Sequence, residues 1–318
     1  MTVAEKVSVK VGTRTLALSN LDKVLWPHDG YTKGDLIEYY RSVAPSILPH
    51  LKDRPLTLQR YPDGIDAFSF FEKSLPKGVP DWVQRVSTRG AEGKKITYIV
   101  CNDEPTLIYV ANLASIVLHV WTSRVETLDE PDFVFFDLDP GERCSLKTLC
   151  SVTLAMRETM RAIGLDGLVK TSGGMGLHFF VPLQAGYSYE SVKLFAELAA
   201  RHVASQNGDS VTLERTVKKR NQEAVYLDFQ QVGRGKTYVV AYSVRAREGA
   251  PVSTPLEWSE VEAYARKRGT VAPWDEFAKF NIATAPKRLK SDGDLWGGKA
   301  WKKQRLEPAI TKAQKLWA

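Results

Sequence analysis

The residues with the clearest chemical potential are carboxylates that end apolar strands. In DFVFFDLDP, strand geometry alternates side chains between faces, so Asp137 and Asp139 project to one side while Phe136 and Leu138 project to the other. Two ionised carboxylates this close repel unless cations sit between them, and hard oxygen ligands suit Mg²⁺ or Mn²⁺. Aspartates before Pro-Gly also serve simply to cap a turn. A second apolar segment, EAVYLDFQQ, carries Asp228 among Val225, Tyr226, Leu227 and Phe229, where an uncompensated carboxylate is costly to bury. A salt bridge to Lys218, Lys219 or Arg220 would satisfy it, and so would a metal. Three carboxylates together match the requirement of two-metal phosphoryl transfer, in which carboxylates bridge ions about 4 Å apart.

The turn in KTSGGMGLHFF has three glycines within four positions, flanked by Ser172 and His178. Such a turn lets backbone N–H groups approach an anion, and a triphosphate is the candidate. Arg220 and Arg245, the latter in AYSVRAR, are available to the same phosphates. Near the N-terminus basic and aromatic residues interleave in NLDKVLWP, YTKGD, RYPDG and FSFFEK. Lysines there can hold a phosphate while Trp26, Phe70 or Phe71 stacks on a base, although aromatics beside strands also build cores.

Two segments mimic nucleotide motifs. Gly293 to Lys299 fits GxxxxGK, but Ala300 replaces the hydroxyl that would hold Mg²⁺ and no apolar strand precedes it, so a loop is expected. KSDG at 290–293 resembles the adenylation motif of ATP-dependent ligases, yet too little chain follows it for a nucleotidyltransferase domain, and ligase activity is rejected.

The elements that must position these residues form a mixed pattern. VSVKVGTRTLALS reads as a strand or hairpin, and TKGDLIEYYRSVAPSILPHL as a helix capped by Thr32. Pro55 to Phe71 reads as two strands around YPDG; ITYIVC is a strand, and TLIYVANLASIVLHVW begins helical and ends extended. Beyond DFVFFDLDP come a helix ending at Gly164, a hairpin (LVKTS, LHFFVPL), a helix (SYESVKLFAELAARHVASQ) and the strands VTLERT, EAVYLDF and TYVVAYSV. From Pro251 the chain is basic and sparse, as expected of a peripheral helix and a tail wrapping the core. The fold class is therefore α+β, a mainly antiparallel core flanked by helices rather than βαβ alternation. A single domain over residues 1–318 is expected, with a DNA-binding part at about 1–75, a catalytic core at about 95–250 and a basic tail at about 251–318.

Composition narrows the classes. A net charge of +7, from 44 Lys+Arg against 37 Asp+Glu, favours a polyanionic partner without requiring one. No apolar run is long enough to span a bilayer and the N-terminus lacks a signal-peptide core, so a cytoplasmic, nucleoid-associated location with no membrane partner is expected. Cys101, Cys144 and Cys150 form no CxxC pair and read as reduced, buried thiols; with five scattered histidines, no zinc site is proposed.

Taken in order, NLDKVLWP, TKGDLIEYY, RPLTLQRYPDG, FFEK, FDLDPG, KTSGGMGLH, VYLDFQQ and YSVRAR resemble the polymerase domain of bacterial ligase D and its stand-alone relatives, primase-polymerases of the archaeo-eukaryotic primase superfamily. The resemblance spans about residues 15–305. It implies template-directed addition of NTPs or dNTPs to a 3′ end, with ribonucleotides preferred, in end joining or the filling of short gaps. By motif it makes Asp137, Asp139 and Asp228 the catalytic ligands of two Mn²⁺ or Mg²⁺ ions. Ser172, His178, Arg220 and Arg245 would serve the incoming nucleotide, with His119 of LHVW nearby. Asn20, Lys23 and Lys33 would hold the 5′-phosphate of a gap or double-strand break, Phe70 and Phe71 would stack on the template, and Arg60 would join them in binding DNA. Ku and a separately encoded ligase are the implied protein partners.

Four positions depart from the family pattern: Met175 and Gln59 stand where lysines are found, Val117 where an acidic residue precedes LH, and Val232 where an asparagine is common. Nucleotide affinity and sugar selectivity are expected to differ accordingly. A non-catalytic module that binds and bridges DNA ends is the alternative reading, and a metal-dependent nuclease a third, which would have no use for SGGMGLH.

Overall fold

The structure is a computed structural model that describes residues 6–90, 93–297 and 301–317. Its chain traces two compact units interleaved in sequence. The first takes residues 1–126, 237–253 and 280–294; the second takes 127–236, 254–279 and 295–318. Each is built on a sheet whose pairings are almost all antiparallel, with helices alongside, so the expected mixed α+β class is what the chain adopts.

In the first unit the sheet runs in the order Thr237–Val239, Ser115–Trp121, Pro55–Arg60, Lys95–Val100, Arg85–Arg89, and Phe70–Glu72 pairs with Pro55–Arg60. Helix Lys33–Leu51 starts where the sequence indicates: the Thr32 hydroxyl accepts from the Asp35 N–H, and the Asp35 carboxylate accepts from the Thr32 N–H. This reciprocal cap satisfies two backbone donors that the first turn would otherwise leave open. Its buried positions Leu36, Tyr40, Val43, Ile47 and Leu51 recur every three or four residues, one face of a helix. The run after Asp103 behaves as expected, helix Glu104–Asn112 giving way to strand Ser115–Trp121, and the switch is made at Ala114, whose φ is +55°.

The strand expected across TYVVAYSV is shorter. It stops at Val239, and Tyr242 adopts φ +68°, a left-handed conformation that ends extended pairing. The Tyr242 hydroxyl donates to Asp294 at 2.6 Å, and its carbonyl accepts from the Tyr39 hydroxyl at 2.8 Å. Two long-range bonds therefore hold a backbone that the local sequence disfavours. KSDG lies at the end of helix Ala285–Asp292, with Gly293 as its cap, a helix stop rather than a nucleotide pocket. Of the GxxxxGK mimic and the residue after it, Gly298, Lys299 and Ala300 lie outside the described residues.

In the second unit the order is Val211–Thr212, Val225–Asp228, Phe133–Pro140, Leu177–Pro182, Leu168–Thr171, Pro255–Leu256. Only two residues of VTLERT are strand, and they pair parallel to Val225–Asp228. Helices Leu146–Ala162 and Tyr189–Asn207 pack on this sheet, capped by Ser145 and Ser188. Phe136 and Phe179 fill one side of it with Trp258. On the other side Phe133 and Phe180 meet Trp296 and Trp301, with ring centroids 5.1 to 6.4 Å apart. The basic C-terminal stretch thus supplies core as well as surface: Trp296 is 2% exposed. Each such ring buries roughly 150–250 Å². Among the described residues no helix is long and apolar enough to cross a membrane. All three cysteines are buried and free, and burial pushes Cys144 up to about 11 and Cys150 to about 12.

Candidate active site

Antiparallel register decides which polar side chains meet. Asp137 on the central strand faces Asp228 on one neighbour and His178 on the other, and His178 faces Lys170 one strand further. Directly opposed residues share a face with Cβ atoms about 5 Å apart. Asp228, Asp137, His178 and Lys170 therefore form one polar row across the sheet, with Asp139 two residues along on the same face. Asp139 is exposed, Asp137 and Asp228 are half-buried, and His178 and Lys170 are buried.

The contacts along the row are specific. Lys170 Nζ lies 2.8 Å from His178 Nδ1, and His178 Nε2 lies 3.3 Å from Asp137 Oδ1. Asp228 Oδ1 accepts from the Gln230 N–H and Oδ2 from the Gln231 side-chain amide, both at 2.8 Å. This answers how a carboxylate is tolerated among Val225, Tyr226 and Leu227: neighbouring amides hold it, not the salt bridge to Lys218, Lys219 or Arg220 considered from sequence. Arg220 instead lies 3.6 Å over the Tyr226 ring, and it donates to the carbonyls of Glu214 and Arg215. Tyr226 stands opposite Asp139 in register, so this guanidinium sits beside the carboxylate row. Burial and Asp228 raise the Tyr226 hydroxyl, while Arg220 and Arg215 oppose that shift. Lys236 is lowered by burial, and Asp228 counteracts the shift, so it too lies within the field of the row. Lys170, Gln231, Arg215 and Lys236 were not singled out from sequence, because what ties them to the aspartates is register and loop path rather than spacing.

Divalent cations fit the chemistry of this donor set, three hard carboxylates on one face. Among the described residues no three His, Cys, Asp or Glu side chains are gathered tightly enough to hold an ion as they stand. Asp228 would have to turn from Gln230 and Gln231 to do so.

The glycine turn is closed by its own serine. Ser172 Oγ accepts from the N–H groups of Gly174 and Gly176 at 3.2 Å each, and the Ser172 N–H donates to the Gly176 carbonyl at 2.9 Å. Two of the N–H groups considered for a phosphate are thereby engaged. Gly176 is required for another reason: a Cβ there would stand 2.6 Å from the Leu138 carbonyl oxygen and 3.4 Å from Asp139 Oδ1. Only glycine lets the turn lie against the carboxylate strand.

The first unit holds the remaining candidates. Loop residues Asn20 to Lys23 wrap the start of helix Lys33–Leu51: Lys33 N–H donates to the Lys23 carbonyl and Gly34 N–H to the Leu21 carbonyl, both at 2.8 Å, and Lys23 N–H to that of Asn20 at 3.2 Å. Asn20 has φ +53°. The structure therefore brings Asn20, Lys23 and Lys33 together, beside a hollow lined by Val7, Asn20, Leu21, Asp22 and Lys23. Lys33 is 4% exposed and its ammonium donates to the Asn112 carbonyl at 3.1 Å; burial, and then the neighbouring Lys23, pull it down to about 8. Lys23 pairs with Asp63 at 2.6 Å.

Phe71 is exposed and its ring lies 5.4 Å from that of His119. Phe70 stacks on Phe68 at 5.9 Å, and Phe68 is 77% exposed, a third member of the aromatic group that sequence reading passed over. Arg60 is anchored beneath them: it donates to Glu72 at 2.9 Å and to the Leu113 carbonyl at 3.0 Å, and lies 5.4 Å from the Phe70 ring centroid. Arg245 is half-buried, its N–H donating to the Pro251 carbonyl at 2.7 Å.

Residues 32–296 match the family model described as LigD, primase-polymerase domain. The chain is 35% identical over 246 residues to the multifunctional non-homologous end joining protein LigD of Mycolicibacterium smegmatis, covering 77% of this chain and 32% of that protein. It is 31% identical over 279 residues to the bifunctional LigD of Bacillus subtilis, covering 87% and 43%. The chain thus spans a third to two-fifths of the length of these relatives. The polymerase domain of Mycobacterium tuberculosis ligase D, solved in complex with DNA, superposes with a TM-score of 0.80 at 29% identity, covering 91% of this chain and 99% of that one. With the match extending across both units, the chain belongs to the primase-polymerase family of bacterial ligase D.

Proposed function

We propose that the protein is a DNA-repair nucleotidyltransferase that adds NTPs or dNTPs to a 3′ end under template direction, at a short gap or a broken end. The observation that carries this reading is the register that sets Asp137 opposite Asp228, with Asp139 on the same face, in a chain of this family. Asp137, Asp139 and Asp228 would hold two Mg²⁺ or Mn²⁺ ions, which supply the acid that lowers the pKa of the primer 3′-hydroxyl and the charge that neutralises the triphosphate.

The chain's own residues orient and bind. His178 offers an N–H beside Asp137. Arg220, Arg245 and His119 are assigned to the nucleotide, and Ser172 shapes the turn that lies on the carboxylate strand. Asn20, Lys23 and Lys33 take the 5′-phosphate, while Phe70 and Phe71 stack on template bases, with Arg60 bracing that strand. Positioning and electrostatics do the work, and base pairing selects the nucleotide. Ribonucleotide preference belongs to the same reading, as do Ku and a DNA ligase as partners and a location at the nucleoid.

The test is extension of a labelled primer across a short 5′-phosphorylated gap, with Mn²⁺ or Mg²⁺ and with NTPs against dNTPs. Templated extension that Asp137→Ala removes is the expected result. The amide bonds of Asp228 would be its whole purpose in a non-catalytic bridging module, and DNA binding without incorporation under either metal would select that reading instead.

A further inference from the structure

The most unusual residue of the second unit is Lys170. It is fully buried in strand Leu168–Thr171 at 0% exposure, a position lysine almost never occupies unless paired, because taking an ammonium out of water costs several kcal/mol. What it meets is an imidazole nitrogen: Nζ is 2.8 Å from His178 Nδ1, 3.4 Å from the Thr171 carbonyl and 5.8 Å from the Phe180 ring centroid. His178 is itself braced edge-on against the Phe135 ring, centroids 5.1 Å apart.

As an ammonium, Lys170 has three donors and no acceptor, and in that form the 2.8 Å contact makes Nδ1 the acceptor. The ring hydrogen is then carried by Nε2, 3.3 Å from Asp137 Oδ1. Without that donor His178 would be at liberty to place its hydrogen on Nδ1, turning the Nε2 lone pair toward a carboxylate. The row then reads lysine, imidazole, carboxylate, carboxylate, and its first member determines which ring nitrogen of the second carries hydrogen beside the third.

We propose that Lys170 is a positioning residue of this site: it fixes the Nε2–H tautomer of His178 and holds that N–H toward the carboxylate face. The tautomer assignment stands on the geometry alone; its consequence for nucleotide addition rests on the function proposed above. Partners that fix the tautomer of a metal-ligating histidine cost about 10–100-fold in activity when removed, and a fall of that order is the expected effect here.

The experiment uses the full chain labelled with ¹⁵N-histidine, read by long-range ¹H–¹⁵N correlation at mildly alkaline pH, with His178 assigned by its absence in His178→Gln. In the wild type, Nδ1 should be bare and Nε2 protonated; a protonated Nδ1 overturns the proposal whether or not any variant folds. Lys170→Met should give mixed tautomers and a fall in primer extension, and Lys170→Arg, which restores a donor, should recover the Nε2–H form. An unchanged tautomer in Lys170→Met also overturns it. If the tautomers behave as expected but the wild type extends no primer, the polymerase reading falls while the assignment to Lys170 stands.

Discussion

The two sets of candidate residues are held by opposite means. In the second unit the carboxylate row sits on consecutive strands of a sheet, where register alone sets the spacing of Asp228, Asp137, His178 and Lys170. In the first unit the cations Lys23 and Lys33 are set by a loop folded over a helix start, through three backbone hydrogen bonds. The sheet site is buried at its Lys170–His178 end; the loop site has one buried lysine and one half-buried lysine paired with Asp63. Chemistry on a reacting phosphorus demands placement to a fraction of an ångström, whereas holding a terminal phosphate demands charge within a few ångströms. Under the proposed function, the difference in construction matches the difference in tolerance.

That contrast can be broken by substitution, and the largest effect is expected at the sheet. Asp137→Ala or Asp228→Ala should reduce primer extension by about 10³-fold, as the loss of several kcal/mol of transition-state stabilisation requires, with DNA affinity nearly unchanged. Steady-state extension beside a binding titration checks both halves; near-wild-type extension would remove these aspartates from the chemistry. Gly176→Ala should come next. Its Cβ meets the Leu138 carbonyl oxygen, which is backbone and cannot swing away, so a loss of about 1–3 kcal/mol in denaturant unfolding and a disproportionate loss of activity are expected.

Effects at the loop site should be smaller and graded. Lys33, drawn down to about 8 by burial and by Lys23, is charged below that pH and neutral above it. Preference for a 5′-phosphorylated gap over an unphosphorylated one should therefore be full below about 8 and decline as pH rises through it. Bound phosphate, by favouring the charged form, moves the decline upward. Lys33→Met should flatten that profile and cost about tenfold in the preference, close to 1.4 kcal/mol; a profile unchanged in the variant would assign the preference elsewhere. The smallest change is Asp63→Asn, which frees Lys23 from an exposed ion pair of the kind worth 0–1 kcal/mol. It should strengthen binding of the phosphorylated gap by up to about fivefold in low salt, an increment that fades as salt is raised.

The sequence alone was enough to establish the element types around the site, because each rests on local pattern. Alternation in FVFFDLDP placed Asp137 and Asp139 on one face, Thr32 announced its helix, and the ordered motifs identified the family. It also determined that a third carboxylate lies in an apolar strand. Which strand stands beside which was decided only by the tertiary structure, since pairing partners far apart in sequence carry no local signal. Hence Lys170 went unnoticed eight residues before His178, Asp228 was offered lysines when it takes Gln230 and Gln231, and the strand expected through Tyr242 ends at Val239. At Tyr242 long-range hydrogen bonds to Tyr39 and Asp294 outweighed the local preference, whereas Asp228 and Lys170 take partners two to eight residues away that only the path of the folded loop and hairpin brings into contact.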